Sequence, residues 1–366
     1  MPATSRMLRC LSFTARRVPV AARRVRTRRH LSEPPRLRDD NCNVTTTVVP
    51  AEGEVLDRIL DATHVTWHEG LSRQAYGRYH AAQMRTEWGR DHQQWFALMQ
   101  GSKLLASAKR YHLAGVLEQR IVRICGIGAV FTDPMHRGHG YAQALVDSLL
   151  DEATHEGVDL ALLFSTVDAA WCDRNGFERI PVDEVELGVA QSPRHGAPMT
   201  LVRGGEERDL AAIVAMGQVR AAPFRFHLDR NIDLVQYAIT KKRLLAGLGS
   251  ADANQMQFFI AEEGITAAAY IVLRVVGHTW TIEECGDRDP GGARVGAILQ
   301  ALIAREPAER RPSIRGWLPP GLVPPQITIV SARPSLTVMR VRRLGTTPVQ
   351  PPLSREDVLY WRSDVF

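Results

Sequence analysis

Between Val130 and Ala142 the chain reads VFTDPMHRGHGYA, an arginine and two glycines set between two apolar segments. The segment before it, roughly Ile121 to Thr132, has the apolar and β-branched content of a strand. The one after it, roughly Tyr141 to Glu156, carries Ala144, Leu145, Val146, Leu149 and Leu150 at helical spacing. A glycine loop between a strand and the start of a helix is an anion cradle. Gly138 and Gly140 remove the Cβ atoms that would keep an anion from the backbone. The first helical N–H groups have no intrahelical partner, and the helix dipole and Arg137 add positive charge. The chemistry is the binding of a phosphate ester. No Lys-Ser/Thr follows the second glycine, so this is not a nucleoside-triphosphate loop. The spacing is not GxGxxG, so a dinucleotide fingerprint also fails.

The pattern Arg137-x-x-Gly140-x-Ala142, with Pro134 upstream, resembles the acetyl-CoA pyrophosphate loop of the GCN5-related N-acetyltransferase (GNAT) superfamily. The pattern alone is weak, since Arg288-x-x-Gly291-x-Ala293 fits it as well. Order distinguishes the first copy. After its helix comes LALLFS (Leu160 to Ser165), similar to the family's fifth strand. Trp171-Cys172-Asp173-Arg174-Asn175-Gly176-Phe177 then looks like the family's fourth helix and closing Gly-Phe. The resemblance extends loosely from Val48 to Val189.

It implies an acetyl-CoA-dependent N-acetyltransferase with no metal, in which an amine attacks the thioester directly in a ternary complex. Rate gain would come from proximity and from stabilising the oxyanion. Backbone N–H groups at Ala129, Val130, Phe131 and Thr132 would hold the pantetheine arm and polarise the thioester. Arg137, Gly138, His139, Gly140, Tyr141 and Ala142 would hold the pyrophosphate. Ser165 stands where many relatives carry an Asn along the pantetheine arm. The family's usual acid, a Tyr four residues before Gly-Phe, is here Cys172, a thiol of ordinary pKa near ~8.5. Base candidates are Glu118, His112, Asp133 and the terminal carboxylate of Phe366. Trp67, His68, Glu69 and Tyr76 fall where the family's first two helices line the acceptor site. In domain order the chain resembles tandem GNAT proteins of the enhanced-intracellular-survival type, where a terminal carboxylate reaches the active site. In length and in its loop it is more similar to fungal lysine N6-acetyltransferases. The implied acceptor is a small-molecule primary amine such as a lysine-like amino acid. The alternatives are a non-catalytic acyl-CoA-binding protein and an acetyltransferase of protein lysines.

These residues need elements to position them. Val55, Ile59, Leu60 and Val65 predict a helix over Gly53 to Thr66, and Ser72 can cap a second one through about Met84. QWFALMQ (Gln94 to Gln100) and LLASAKRYHL (Leu104 to Leu113) read as a hairpin around Gly101-Ser102. The second half repeats the order: a helix capped near Glu206, strands at Gln257 to Glu262, Ile265 to Val275 and His278 to Glu283, and a helix at Val295 to Ile303. A strand at Ile327 to Ala332 and a helix at Ser335 to Val341 complete it. The expected fold is α/β (α+β): two GNAT-like domains, each a mixed, mostly antiparallel sheet flanked by helices. Their bounds are 43–190 for the catalytic domain and 199–366 for a degenerate one, with a linker at 191–198. The second copy's loop, GDRDPGGARVGA, has acidic residues that would repel a pyrophosphate.

Composition agrees. At 366 residues two domains are expected. There is no apolar run long enough for a membrane-spanning helix. The net charge of +6 resides in the leader: residues 1–38 hold eleven Arg and one acid, leaving 35 basic and 39 acidic residues for the rest. The body is thus mildly acidic, a poor nucleic-acid binder, and no membrane or nucleic-acid partner is expected. The leader, 1–42, reads as disordered. It is either a mitochondrial-type transit peptide or the translation of an upstream region from a start codon set too early, the second being favoured, with a nucleic-acid-binding arm as a third option. The corresponding locations are the mitochondrial matrix or the cytoplasm. Five scattered cysteines with no C-x-x-C argue against disulfides and zinc.

Overall fold

The apolar segments flanking the glycine loop are a strand and a helix in the computed structural model, which describes residues 45–165, 169–190, 201–249, 255–345 and 352–365. The leader, the linker at 191–198 and Phe366 lie outside these. The first half runs β1 (Thr46–Pro50), α1 (Gly53–Trp67), α2 (Arg73–Arg85), α3 (Glu87–His92), β2 (Gln93–Gln100), β3 (Lys103–Leu117), β4 (Arg120–Thr132), α4 (Tyr141–His155), β5 (Leu160–Ser165), α5 (Ala169–Arg174), β6 (Glu178–Ile180) and β7 (Asp183–Val189). The second runs β8 (Leu201–Gly204), α6 (Leu210–Ala221), β9 (Phe226–Leu228), α7 (Ile232–Leu248), β10 (Gln255–Glu263), β11 (Thr266–Val276), β12 (Thr279–Asp287), α8 (Ala293–Ile303), β13 (Ser313–Gly316), β14 (Ile327–Pro334), β15 (Val338–Arg343) and β16 (Val358–Leu359).

Local chemistry accounts for the boundaries. Ser72 caps α2 by accepting from the Ala75 N–H at 3.2 Å. Ile59 and Leu60 of α1 are buried, but Val65 is 81% exposed. It lies five residues after Leu60, about 140° round the helix, and Thr63 occupies the inward position instead.

Both halves are built on a mixed sheet flanked by helices, and the repeat shows in the pairing. In the first sheet β2, β3 and β4 are antiparallel, and β5 runs parallel to β4 from Ile124↔Leu160 to Ile127↔Leu163. In the second, β10, β11 and β12 are antiparallel, and β13 runs parallel to β12 from Thr279↔Ser313 to Ile282↔Gly316.

The halves exchange their last strands. The first sheet is ordered β1-β2-β3-β4-β5-β15-β6 and the second β14-β7-β13-β12-β11-β10-β8. So β7 leaves the first half to pair with β13 and β14, while β15 leaves the second to lie between β5 and β6. The segment expected as a helix at Ser335 to Val341 is mostly this strand. Val338, Met339, Arg340 and Val341 are all buried there, and pairing on both edges overrides the local pattern. A boundary at 190 therefore does not divide the sheets, and the described residues belong to one compact unit. Further ties join the halves: β9 pairs with β3, β16 with β9, and α7 packs on α2 and α3.

Candidate active site

The glycine loop has the conformation its sequence suggests. Gly138 and Gly140 lie at φ 82° and 79°. A Cβ at either would meet no atom within 4 Å, so backbone angle and access for a ligand, rather than crowding, call for glycine here. Gly140 caps α4 with no side-chain bond to the first turn, leaving those N–H groups open. Arg137 is exposed beside them, and the His139 ring stacks on Tyr141 at 5.7 Å. Asn175 ties the same turn to α5, donating to Gln143 Oε1 at 2.8 Å and to the Trp171 carbonyl at 2.7 Å.

Just upstream, β4 carries a bulge: Ser107 pairs with Phe131 and Lys109 with Gly128, so Ala129 and Val130 oppose Ala108 alone. Ala129 takes φ 48°, a conformation costly for a residue with a Cβ. The parallel pairing with β5 has already ended at Ile127↔Leu163. Beyond it the two strands part, and the β5-facing edge of the bulge is open. That is the splayed strand expected of Ala129 to Thr132.

The cleft opens into a cavity of about 640 Å³. Val130, Ala142, Ser165 and Cys172 line one end, and Trp67, Glu69 and Tyr76 line the α1–α2 side, so the structure brings these expected residues together. Phe131 supports Trp67 edge-on at 5.9 Å. Thr132 to Tyr141 continue the loop outside the cavity. Other expected residues are elsewhere. His68 is exposed, with Nδ1 accepting from the Gly70 N–H at 3.0 Å. Glu118 sits at the β3–β4 turn, ion-paired to Arg225 at 2.8 Å, and does not reach the cavity. His112 is exposed on β3, and Asp133 accepts from the Met135 N–H at 2.8 Å, capping a turn. Phe366 lies outside the described residues, though Val365 lines the cavity.

Sequence reasoning missed the cavity's basic groups. Lys109 on β3 is 4% exposed, and its Nζ lies 3.4 Å from His80 Nδ1 and 4.8 Å from the centre of the Trp95 ring. Burial pulls its ammonium down from 10.5 to about 7. Burial, then Lys109 and Arg73, push the His80 imidazole down to about 2, so it is neutral. Its Nε2 is buried and has no hydrogen-bond partner among the described residues. The second half contributes to the wall as well: Lys241 and Lys242 of α7 and Arg274 of β11. Lys241 donates to the Val365 carbonyl at 2.8 Å, and burial, with Lys242 and Lys109 nearby, lowers it to about 7. The signal available was weak: one of two adjacent basic residues in a mixed strand, the KR of LLASAKRYHL.

The second half's own loop is filled. Asp287, fully buried, accepts from the Asp289 N–H at 2.9 Å and the Arg294 N–H at 2.8 Å, and pairs with the Arg294 guanidinium at 3.0 Å. A side-chain carboxylate thus holds the start of α8, the place an anion would take. Leu322 and Pro324 close over Gly292, where a Cβ would lie 2.6 Å from Leu322 Cδ1.

Residues 51–180, which contain the glycine loop, the bulge and most of the cavity lining, match the family model "Acetyltransferase (GNAT) domain". The chain carries a GNAT acetyltransferase domain and is an acyltransferase. Comparison with curated protein sequences returns no match. Among solved structures, a GCN5-related N-acetyltransferase from Kribbella flavida is 16% identical, with TM-score 0.61 over 82% of this chain and 71% of that one. Eis1 from Mycobacterium abscessus is 16% identical, with TM-score 0.53 over 82% and 74%. Saccharomyces cerevisiae N-myristoyltransferase with bound myristoyl-CoA is 7% identical, with TM-score 0.51 over 81% and 82%. At these identities the likeness is one of fold.

Proposed function

We propose that the protein moves an acetyl group from acetyl-CoA to the primary amine of a small molecule. The observation that carries this is the junction at Val130: an open bulge and an anion-ready helix terminus meet one end of a cavity whose side wall holds a buried amine, Lys109. In this reading the loop from Arg137 to Ala142 holds the pyrophosphate, and the cleft between β4 and β5, flanked by Ser165, takes the pantetheine arm. Bulge N–H groups polarise the thioester carbonyl. An acceptor entering past Trp67, Glu69 and Tyr76 gives its ammonium proton to Lys109 Nζ, and the freed amine attacks the thioester carbon. The tetrahedral intermediate collapses, breaking the C–S bond, and the proton its nitrogen loses in becoming an amide passes to the CoA thiolate, relayed by the Cys172 thiol or a water. Lys109 keeps an N–H toward His80 Nδ1, which orients its lone pair. The small-molecule acceptor is favoured because the cavity is walled by elements of both halves. Because Asp287 holds the α8 terminus, one acetyl-CoA site per chain is assigned.

Calorimetric titration with acetyl-CoA, alongside thiol release with an amine panel, tests this. One site per chain, lost in Gly140→Glu, supports the reading. Two sites would overturn the assignment of the second half. Binding without thiol release for any amine would favour a non-catalytic acyl-CoA-binding protein.

A further inference from the structure

The acceptor end of the cavity is positively charged. Among the described lining residues the cations are Lys109, Lys241, Lys242 and Arg274, and the one carboxylate is Glu69, exposed near the mouth. Beneath these cations lies Glu283, 1% exposed, with Lys242 Nζ at 3.0 Å, Arg274 Nε at 3.4 Å and Arg362 Nε at 3.9 Å. Arg362 also meets Glu184 at 3.4 Å. With Arg362 assigned to Glu184 and Asp364 ion-paired to Arg230 at 3.3 Å, Glu283 is the carboxylate left for Lys241, Lys242 and Arg274. One carboxylate cannot neutralise three cations, and enclosure by protein makes the excess felt across the cavity. A ligand that is only a cation, such as a simple amine or a polyamine, would enter against this field. None of these groups belongs to the loop from Arg137 to Ala142.

Resting on the N-acetyltransferase reading, we propose that the acceptor is an amine that also bears a carboxylate. The carboxylate is held by Lys241, Lys242 and Arg274, and the amine is presented to Lys109 and the bulge. So small a charge excess suits a monoanion better than a doubly charged phosphate. His80 Nε2 supports the same polarity. With Nδ1 accepting from Lys109, the imidazole proton sits on Nε2, and that buried donor lacks an acceptor atom. The groups facing Lys241 are Lys242 and Tyr237 on its own helix, Lys109 from β3, Glu283 from β12 and Asp364 from the C-terminal turn. Of these only Glu283 and Asp364 are acidic, so an entering carboxylate raises the proton affinity of Lys241 and binding takes up protons above neutral pH.

The test uses the full chain with acetyl-CoA and matched acceptors that differ in the carboxylate: L-lysine with L-lysine amide and cadaverine, L-ornithine with putrescine, and glycine with methylamine. Thiol release is expected to favour a carboxylate-bearing member by roughly 10- to 100-fold in kcat/KM, the range of one charge-assisted hydrogen bond. The preference should collapse in Lys241→Met and Arg274→Gln, whose acetyl-CoA affinity, read by calorimetry, reports that they still fold. Titration of the preferred amino acid into the CoA complex at pH 8, in two buffers of different ionisation enthalpy, should show proton uptake that Lys241→Met loses. Equal turnover within pairs would overturn the inference and leave the N-acetyltransferase standing. A preference that survives both variants would overturn the assigned site. Acetyl-CoA binding with no acceptor turned over would overturn the small-molecule reading and this inference with it.

Discussion

Replacing Lys109 by Met should cut turnover sharply and stabilise the fold, and the two effects together separate a base from a structural lysine. Lys109 titrates near 10.5 when unfolded, and burial brings it to about 7 in the folded protein. The folded state therefore binds the proton more weakly, and stability rises with pH between these values. Below about pH 7 the full penalty applies, on the order of 5 kcal/mol at ~1.4 kcal/mol per pH unit. At pH 8 about 3 kcal/mol remains, and none beyond the unfolded value. Lys109 is 4% exposed, so solvent screening does not reduce this much. Met fills a similar volume against Trp95 and removes the penalty, forfeiting a cation–π contact worth ~1 kcal/mol. The melting temperature at pH 7 should rise by several degrees, on the scale of ~2–4 °C per kcal/mol for large domains. Turnover should fall by ~10²–10⁴, the range of a general base. In the wild type, kcat should climb to a plateau as Lys109 loses its proton, being roughly a tenth of the plateau at pH 6. The residual activity of the variant should lack that limb. Scanning calorimetry and thiol-release profiles from pH 5.5 to 9 read both quantities. A variant less stable than wild type, or one that keeps the acidic limb, would refute the role given to Lys109.

Three other perturbations bear on the site and its frame. Gly140→Glu should remove acetyl-CoA binding without unfolding the chain: φ 79° disfavours any side chain, and the carboxylate repels the pyrophosphate. Titration calorimetry checks the binding and circular dichroism the fold. Asp287→Ala strips the start of α8 of two N–H acceptors and a guanidinium partner, and should cost about 2–3 kcal/mol while leaving one acetyl-CoA site. Urea unfolding and the same titration measure these. Residues 45–190 expressed alone should aggregate or bind acetyl-CoA far more weakly than the full chain. They lack β15 between β5 and β6, and β7 has no sheet to join.

The glycine loop of this candidate site was legible because its requirements are local. Two glycines, an arginine and the order of strand, loop and helix are properties of consecutive residues, so Arg137, Gly138 and Gly140 could be read without a structure. Ser165 and Cys172 followed from their place after the loop, and both line the cavity. The acceptor end was not legible, because long-range packing makes it. Lys109 looked like one charge in a mixed strand until β2 placed Trp95 beneath it and α2 placed His80 beside it. Lys241 and Arg274 belong to the other half, and their sequence neighbours announce nothing. The strand exchange was hidden for the same reason. TVMRVRR carries no sign that both its edges are paired with strands more than 150 residues away.

The second half repeats the bulged strand of the first with different residues on it. Its central strand bulges where β4 does, just past the last parallel pair: Val272 faces Glu284 and Leu273 faces Ile282, leaving Glu283 as the extra residue. In the first half the bulge presents Ala129 and Val130, small or apolar, and the backbone beside them stays open to the cleft. In the second half the same irregularity carries a carboxylate into contact with Lys242, Arg274 and Arg362. Burial alone would raise that carboxyl's pKa, but the three cations hold it below the usual range, so it stays ionised and anchors the wall. One geometric device thus leaves an open backbone edge in one sheet, where the proposed reaction would polarise its thioester, and organises cations in the other. Because β7 and β15 lock each sheet into the other half, that wall is fixed relative to the bulge of β4, so an acceptor held by its carboxylate is also positioned at its amine.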